Sequence, residues 1–389
     1  MNPRRLLLEL FDAAVRAVDG NEGVATALRG LESRNVSLFA IGKAAASMIR
    51  GAYSALGGNI QQALLVTKDG HADSELSRFA NLTVLESSHP VPDARSLAAG
   101  AELERRIQAL STDAYPVFLV SGGSSSLIEL LQHGVSLDDL RALNTHGLAA
   151  GWDIVRLNEE RRRLSRLKGG GVARLLQGRP AHALFISDVP QDDPGVIGSG
   201  LLGAEPGRED RILRIVVANL RVATHQAGEV ASAQGLDLQV REQPFAGDAG
   251  QVAREFVAAM RETSADGLIW GGESTVLLPQ QPGRGGRNTH LALAAARALR
   301  ADEQFTILAA GTDGTDGPTE DAGAIVDSGT ITRAQIGGVD VERAWQECDS
   351  GTALEAAQDL VHTGPTGTNV GDLLIGIKRP RGRSRDLPL

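Results

Sequence analysis

Lysine, serine, aspartate and arginine recur in this chain at one kind of position, just past an apolar run. Lys43 stands in GKAAASM, directly after VSLFAI and ahead of an Ala-rich segment. A lysine at such a helix start neutralises a phosphate or carboxylate held by the helix N–H groups. SGGSSS, Ser121–Ser126, offers backbone N–H groups and hydroxyls suited to an anion or a sugar acid. In SDVPQDDPGVIGSG, Asp188 follows an apolar run, and Asp192 and Asp193 occupy a Pro-bounded turn. Carboxylates so placed suit a base that takes a hydroxyl proton, or Mg²⁺ coordination. GGES carries Glu273, and GTDGTDGPTEDAG carries Asp313 and Asp316. Their spacing misses the alternating acids of a Ca²⁺ loop and suits Mg²⁺ with a nucleotide better. PGRGGRNTH puts Arg284 and Arg287 on a glycine-rich lead into a helical segment, where arginine forks match phosphate oxygens. NEERRRLSRLKGGG packs Arg161, Arg162, Arg163, Arg166 and Lys168 ahead of a glycine turn. A solvated helix face is the usual reading of such a run, but a lysine beside a glycine turn can approach a ligand closely. Lysine, arginine and aspartate sets of this kind are what phosphoryl transfer requires: positioning and charge stabilisation.

Several alternatives are absent. Gly42-Lys43 is followed by Ala44, so no GxxxxGK[ST] phosphate loop exists. No GxGxxG follows an apolar run, which weakens a dinucleotide site. SGGSSS lacks the final glycine of a GxSxG nucleophile turn. There is no HExxH, and the single cysteine, Cys348, removes cysteine-based zinc sites and intrachain disulfides. One thiol fits a reducing cytoplasm.

These stretches need a scaffold. Apolar runs that read as strands are Val36–Ile41, Ala63–Thr67, Leu82–Glu86, Pro116–Val120, Ala183–Ser187, Ile212–Val217, Leu236–Arg241, Gly267–Trp270, Phe305–Ala309 and Ala324–Val326. Helical periodicity lies between them, as in Ser96–Leu110, Ala249–Arg261 and Thr289–Arg300. The alternation predicts α/β layers with largely parallel sheets, and ligands in such sheets bind beyond the carboxyl ends of strands. A length of 389 residues favours two domains, with the Gly/Pro/charge-rich Gly200–Asp210 as linker. The division then falls between 205 and 206. The N-terminal MNPRRLLLELFDAAVRAV reads as an amphipathic helix, because Glu9, Asp12 and Arg16 interrupt its apolar run. The tail from Lys378 to Leu389 reads as a solvated end. A net charge of −9 argues against a broad nucleic-acid surface, and no apolar segment reaches membrane-spanning length.

Taken in order, GKAAASM, SSHPVPD, LVSGGSSSL, LSRLKGG, ISDVPQDDPGVIGSG, GGESTV, GRGGRN, GTDGTDGP and GPTGTNVGDLL resemble the glycerate 2-kinase family, whose C-terminal part is the MOFRL domain. The resemblance runs from about Gly42 to Ile375. It implies an N-terminal Rossmann-like αβα sandwich, a smaller C-terminal α/β domain and an active site in the cleft between them. It implies ATP-dependent phosphorylation of D-glycerate to 2-phosphoglycerate with a divalent metal, small-molecule partners only, and room for a homodimer. Lys43 matches the family's catalytic lysine, and Arg284 or Arg287 its catalytic arginine, with Arg287, nearest the helix, preferred. Asp188 matches the strand-end aspartate. Within this reading Ser121, Gly122, Gly123, Ser124, Ser125 and Lys168 hold the substrate acid. Arg284, Gly285, Asn288, Gly311 and Thr312 hold the nucleotide, and Asp313 or Asp316, with Glu273, holds Mg²⁺. The chain departs from the family at Thr289-His290, where Gln-Glu is usual, at Arg163, where histidine is frequent, and at Leu201, where proline is frequent. The alternatives are an NAD(P)H-dependent hydroxypyruvate reductase and a non-catalytic sensor of the acid or nucleotide.

Overall fold

The computed structural model describes residues 2–150, 154–204 and 210–378. In chain order its elements are α1 (Pro3–Ala17), α2 (Gly20–Ala27), β1 (Asn35–Ile41), α3 (Ala45–Leu56), β2 (Ile60–Lys68), β3 (Leu82–Ser87), α4 (Ala94–Gln108), β4 (Ala114–Val120), α5 (Ser124–Leu127), α6 (Leu137–Ala149), α7 (Ile154–Leu164), α8 (Gly171–Leu175), β5 (Ala181–Ile186) and β6 (Ile212–Ala218). They continue with α9 (Leu220–Ala233), β7 (Leu238–Asp248), α10 (Ala249–Glu262), β8 (Gly267–Thr275), α11 (Arg287–Ala298), β9 (Phe305–Gly311), β10 (Gly323–Asp327), α12 (Thr330–Ile336), α13 (Val341–Gln346), α14 (Ser350–Ala356), β11 (Leu360–Val361) and β12 (Asp372–Lys378). The chain forms two compact units, Val18–Asn219 with Gly367–Val370, and Met1–Ala17 with Leu220–Thr366 and the residues from Gly371.

The first unit holds a six-stranded sheet in the order β3-β2-β1-β4-β5-β6. Every neighbouring pair is parallel. Parallel sheets are covered on both faces, which explains why β1 and β4 read as unbroken apolar runs. Two of the chain's few aromatics sit at the centre: Phe39 of β1 stacks on Phe118 of β4, ring centroids 5.0 Å apart. Leu64, Val66, Leu103 and Phe185 pack around them. The α4 helix approaches closely enough that a Cβ on Gly100 would lie 2.1 Å from the Glu129 carbonyl oxygen.

The second unit also has six strands, ordered β11-β10-β9-β12-β8-β7. Only β7 and β8 run parallel here; β8–β12, β12–β9, β9–β10 and β10–β11 are antiparallel. The expectation of largely parallel sheets therefore holds for the first unit and not for the second. Two of the four antiparallel pairs come from β12, an apolar strand not among the runs named above, which inserts between β8 and β9; the other two come from the reversals into β10 and β11. The α10 and α11 helices cover one face through Phe256, Met260, Leu291 and Leu293. The amphipathic α1, with Leu6, Leu7, Leu10 and Phe11 buried, packs on α9 and β12 of the same unit.

Three boundaries differ from the expected division at 205/206. Because β6 is hydrogen-bonded to β5, the first unit extends to Asn219. The first helix belongs to the second unit, and Gly367–Val370 to the first. The expected linker lies partly, and the basic tail beyond Lys378 wholly, outside the described residues. Among the described residues no helix is long and apolar enough to cross a membrane.

In β12, Gly376 lets α10 sit directly on the sheet: a Cβ there would stand 2.7 Å from Phe256 Cε1 and 2.9 Å from Met260 Sδ. Gly376→Val is expected to destabilise the second unit by about 1–3 kcal/mol through overpacking, read as a lower calorimetric melting temperature. Gly58→Ala, with nothing within 4 Å of the added methyl, should leave the melt unchanged.

Candidate active site

In the first unit the predicted residues meet at the carboxyl ends of three adjacent strands, β1, β4 and β5. The turns after β1 and β4 are stitched together. Ser121 N–H donates to Ile41 O at 3.0 Å, and Lys43 N–H to Gly122 O at 3.0 Å. Ala44 N–H donates to Ser121 Oγ at 3.1 Å. Gly42, at φ +134°, is required here, since a Cβ would fall 2.1 Å from Ser121 Oγ. The stitching leaves Lys43 half-buried at the start of α3, beside the serine loop.

The loop's glycines admit the other groups. A Cβ on Gly122 would lie 2.1 Å from Asp188 Oδ2 and 2.2 Å from Asn369 Nδ2, so both side chains rest on bare backbone. Asn369 Nδ2 donates to Asp188 Oδ2 at 3.1 Å. Gly123, at φ +83°, is flanked by His89 Cδ2 and Lys43 Cγ, 3.1 and 3.2 Å from where a Cβ would stand. Among the serines, Ser125 Oγ meets Ser199 Oγ at 2.7 Å and Ser126 Oγ donates to Gly123 O at 3.1 Å. The buried Ser124 hydroxyl has no partner among the described residues. Lys43, Asp188, Gly122, Gly123 and the serines thus converge as expected.

Lys168 does not join them. Its side chain is 2% exposed and its ammonium pairs with Glu129, itself fully buried. Burial lowers the ammonium's pKa and Glu129 opposes that shift. The glycine turn brings Lys168 inward, not toward a ligand. The expectation that it grips substrate is corrected accordingly.

In the second unit, Arg287 begins α11 and Asp372 begins β12. Arg287 Nη2 donates to Asp372 Oδ1 at 3.0 Å, and Nε lies 2.6 Å from Asp372 Oδ2 as an ion-pair contact, Oδ2 having no hydrogen-bond partner among the described residues. Its other nitrogen pairs with the exposed Glu273. Burial works against the guanidinium charge, but Asp372 and Glu273 outweigh it and hold its pKa above the usual range. Burial pushes Asp372 up to about 6 despite the opposing arginine. Asn288 Nδ2 also donates to Asp372 Oδ1, at 3.1 Å, and Asn288 Oδ1 is buried with no partner among the described residues.

Other predicted groups here serve the scaffold. Thr312 is buried, and its N–H and hydroxyl both donate to Gly371 O, at 3.0 and 2.6 Å, fixing the start of β12. Arg284 pairs with Asp321 at 3.0 Å and Glu355 at 2.6 Å. Gly285 packs against Ser350, where a Cβ would lie 2.5 Å from its Oγ, and Gly311 ends β9 with its N–H on Ala322 O at 2.8 Å. These contacts correct the nucleotide expectation for Thr312 and leave Arg284 held by two carboxylates.

The three carboxylates expected to hold Mg²⁺ are each engaged by protein groups. Asp316 is buried and accepts from Asn288 N–H (2.9 Å), Thr289 N–H (2.7 Å) and Thr289 Oγ1 (2.8 Å), satisfying the first turn of α11. Burial raises its pKa against those bonds. Asp313 Oδ1 accepts from Thr315 N–H and Oγ1, both at 3.1 Å, and Glu273 faces Arg287. Among the described residues no group of three or more His, Cys, Asp or Glu is placed to hold a metal. Thr289, one of the departures, is explained by its bond to Asp316.

Sequence reasoning passed over His89, Asn369 and Asp372, although each lies in a quoted motif. Their signal is a polar residue inside SSHPVPD or TNVGD; for Asn369 and Asp372 it was hidden by the strand that begins at Asp372, which the apolar runs did not include.

Comparison with known proteins identifies the family. The family described as "Domain of unknown function (DUF4147)" matches residues 6–233, and the MOFRL family matches 267–372. D-glycerate 2-kinase of Thermotoga maritima is 32% identical over 412 aligned positions, covering 96% of this chain and 98% of its own. The chain belongs to the glycerate 2-kinase family. A crystal structure of glycerate kinase from Thermotoga maritima superposes with a TM-score of 0.86 at 32% identity, covering 96% of this chain and 99% of that one. A relative from Agrobacterium vitis, 33% identical over 97% of this chain and 95% of its own length, carries a provisional name as a hydroxypyruvate reductase.

His290, the other residue of the Thr289-His290 departure, is buried in α11 and stacks on Trp345 with ring centroids 3.9 Å apart. Burial lowers its pKa from 6.5 to about 4, with Arg297 adding to the effect and Asp248 opposing it. The folded protein keeps this ring neutral while the unfolded chain protonates it, so stability is full above pH 6.5 and is lost as pH falls toward 4. His290→Gln is expected to flatten that acid limb, measured as urea midpoint against pH.

Proposed function

We propose that this protein transfers the γ-phosphoryl group of ATP to the 2-hydroxyl of D-glycerate. The observation that carries this reading is the Lys43–Gly122–Asp188 cluster at the ends of β1, β4 and β5, in a chain whose relatives include a D-glycerate 2-kinase. In this reading Asp188 accepts the hydroxyl proton as the oxygen attacks phosphorus, which needs a carboxylate within hydrogen-bond reach of that hydroxyl. Lys43, at the start of α3, supplies positive charge to the transferring group, whose transition state spreads negative charge over its oxygens. The serine loop, with the unpaired Ser124 hydroxyl and half-buried His89 nearby, receives the glycerate carboxylate. In the second unit Arg287 supplies the second fixed charge for the nucleotide: the buried Asp372 holds it in place, and its contact with the exposed Glu273 is the one a phosphate would replace. No step is assigned to a metal through Asp313, Asp316 or Glu273, whose carboxylates are engaged as described. A cytoplasmic location belongs to the same reading and is supported by the lone free thiol, Cys348.

Incubation with D-glycerate, ATP and Mg²⁺ is expected to yield 2-phosphoglycerate by NMR, with one ADP formed per ester. Lys43→Met should lower kcat by about a thousand-fold with little change in melting temperature. NADH oxidation with hydroxypyruvate and no ADP from glycerate would overturn the reading in favour of a reductase.

A further inference from the structure

The motif TNVGD, from Thr368 to Asp372, places two functional contacts three residues apart. Asn369 donates to Asp188 Oδ2 within the first unit, at 3.1 Å. Asp372 holds Arg287 through two nitrogens within the second unit, at 2.6 and 3.0 Å. The chain passes from one unit to the other between Val370 and Gly371. We propose that Thr368–Asp372 is a positioning element for phosphoryl transfer, in which Asn369 orients the Asp188 carboxylate and Asp372 orients the Arg287 guanidinium.

The segment is anchored by groups other than these two side chains. Thr368 Oγ1 donates to Val18 O at 2.7 Å. Just before it, Thr366 N–H reaches Asp313 O at 3.3 Å and its hydroxyl reaches Thr312 O at 2.5 Å. Just after it, Gly371 O accepts both donors of Thr312. With the backbone tied at these points, Asn369 and Asp372 are not needed to hold it. What they do fix is the rotation of two charged groups. The Asn369 amide donates to the one Asp188 oxygen, Oδ2, that stands over the bare backbone of Gly122, and so helps to set which oxygen faces there. A guanidinium that donates from Nη2 to a buried carboxylate, with Nε 2.6 Å from the same group, is held by a fixed charge, whereas its other contact, Glu273, is exposed. Errors of about 1 Å in such groups are enough to cost about a hundred-fold in rate.

This inference rests on the kinase reading, and double-mutant cycles separate the two. Asn369→Ala and Asp372→Asn are each expected to lower kcat by about ten- to a hundred-fold. Each should add less than about two-fold when made in Asp188→Asn or Arg287→Lys respectively, because a positioning residue has nothing left to position. Asn369→Ser, which keeps a donor, should recover part of the loss. A merely structural role would lower the melting temperature and multiply through the cycle. Losses that multiply in both cycles, or single losses below about two-fold in an active enzyme, overturn this proposal and leave the kinase reading standing. A wild-type protein that forms no phosphoglycerate overturns both. Should Asp372→Asn not fold, the Asn369 cycle decides alone.

Discussion

Two backbone hydrogen bonds, Ser121 N–H to Ile41 O and Lys43 N–H to Gly122 O, bind the turn after β1 to the turn after β4. Much of the first unit's chemistry depends on them. Adjacent parallel strands end at the same level, so their turns are neighbours; the bonds convert that proximity into a fixed geometry. Gly42 permits the approach, Ser121 seals it through the Ala44 N–H, and Gly122 is left as open backbone on which Asp188 rests. A lysine, a serine loop and an aspartate separated by long stretches of chain become one cluster without any of them carrying strain of its own.

The second unit solves a different problem. Its charged groups are held in pairs: Arg287 on Asp372, Arg284 on Asp321, and Asp316 on the N–H groups that open α11. Each arrangement meets the cost of burying a charge by giving it a partner. The burial of Asp372 beneath Arg287 is the extreme case, since the carboxyl is raised to about 6 even beside a guanidinium. A charge so paired is held in one direction.

Much of this was legible in the chain. All ten strands read from apolar runs are present, and the residues placed after β1, β4 and β5 do come together. The reason is simple: in a parallel sheet, following a strand is enough to place a residue at the carboxyl edge. Less was legible where antiparallel pairing enters. DLLIGIK looked like the end of a motif, and its glycine, which actually seats α10, broke the apolar run; its insertion between β8 and β9 makes two of the second sheet's four antiparallel pairs, and the reversals into β10 and β11 make the others. Side-chain destinations were also hidden. Lys168 finds Glu129, and Asp316 finds the start of a helix 28 positions earlier. Residue type suggested a ligand in both cases, while the fold had already provided an internal partner.

The central claim is that the bare backbone of Gly122, with Asp188 set against it and Lys43 stitched beside it, is where glycerate is phosphorylated. Gly122→Ala tests it most directly, because the added methyl would enter the space of Asp188 Oδ2 and Asn369 Nδ2 without altering any charged group. The measurement is kcat for phosphoglycerate formation alongside the melting temperature. A fall of about a hundred-fold or more in kcat, with the fold retained, is the predicted result. A folded Gly122→Ala enzyme within about three-fold of the parent would contradict the account.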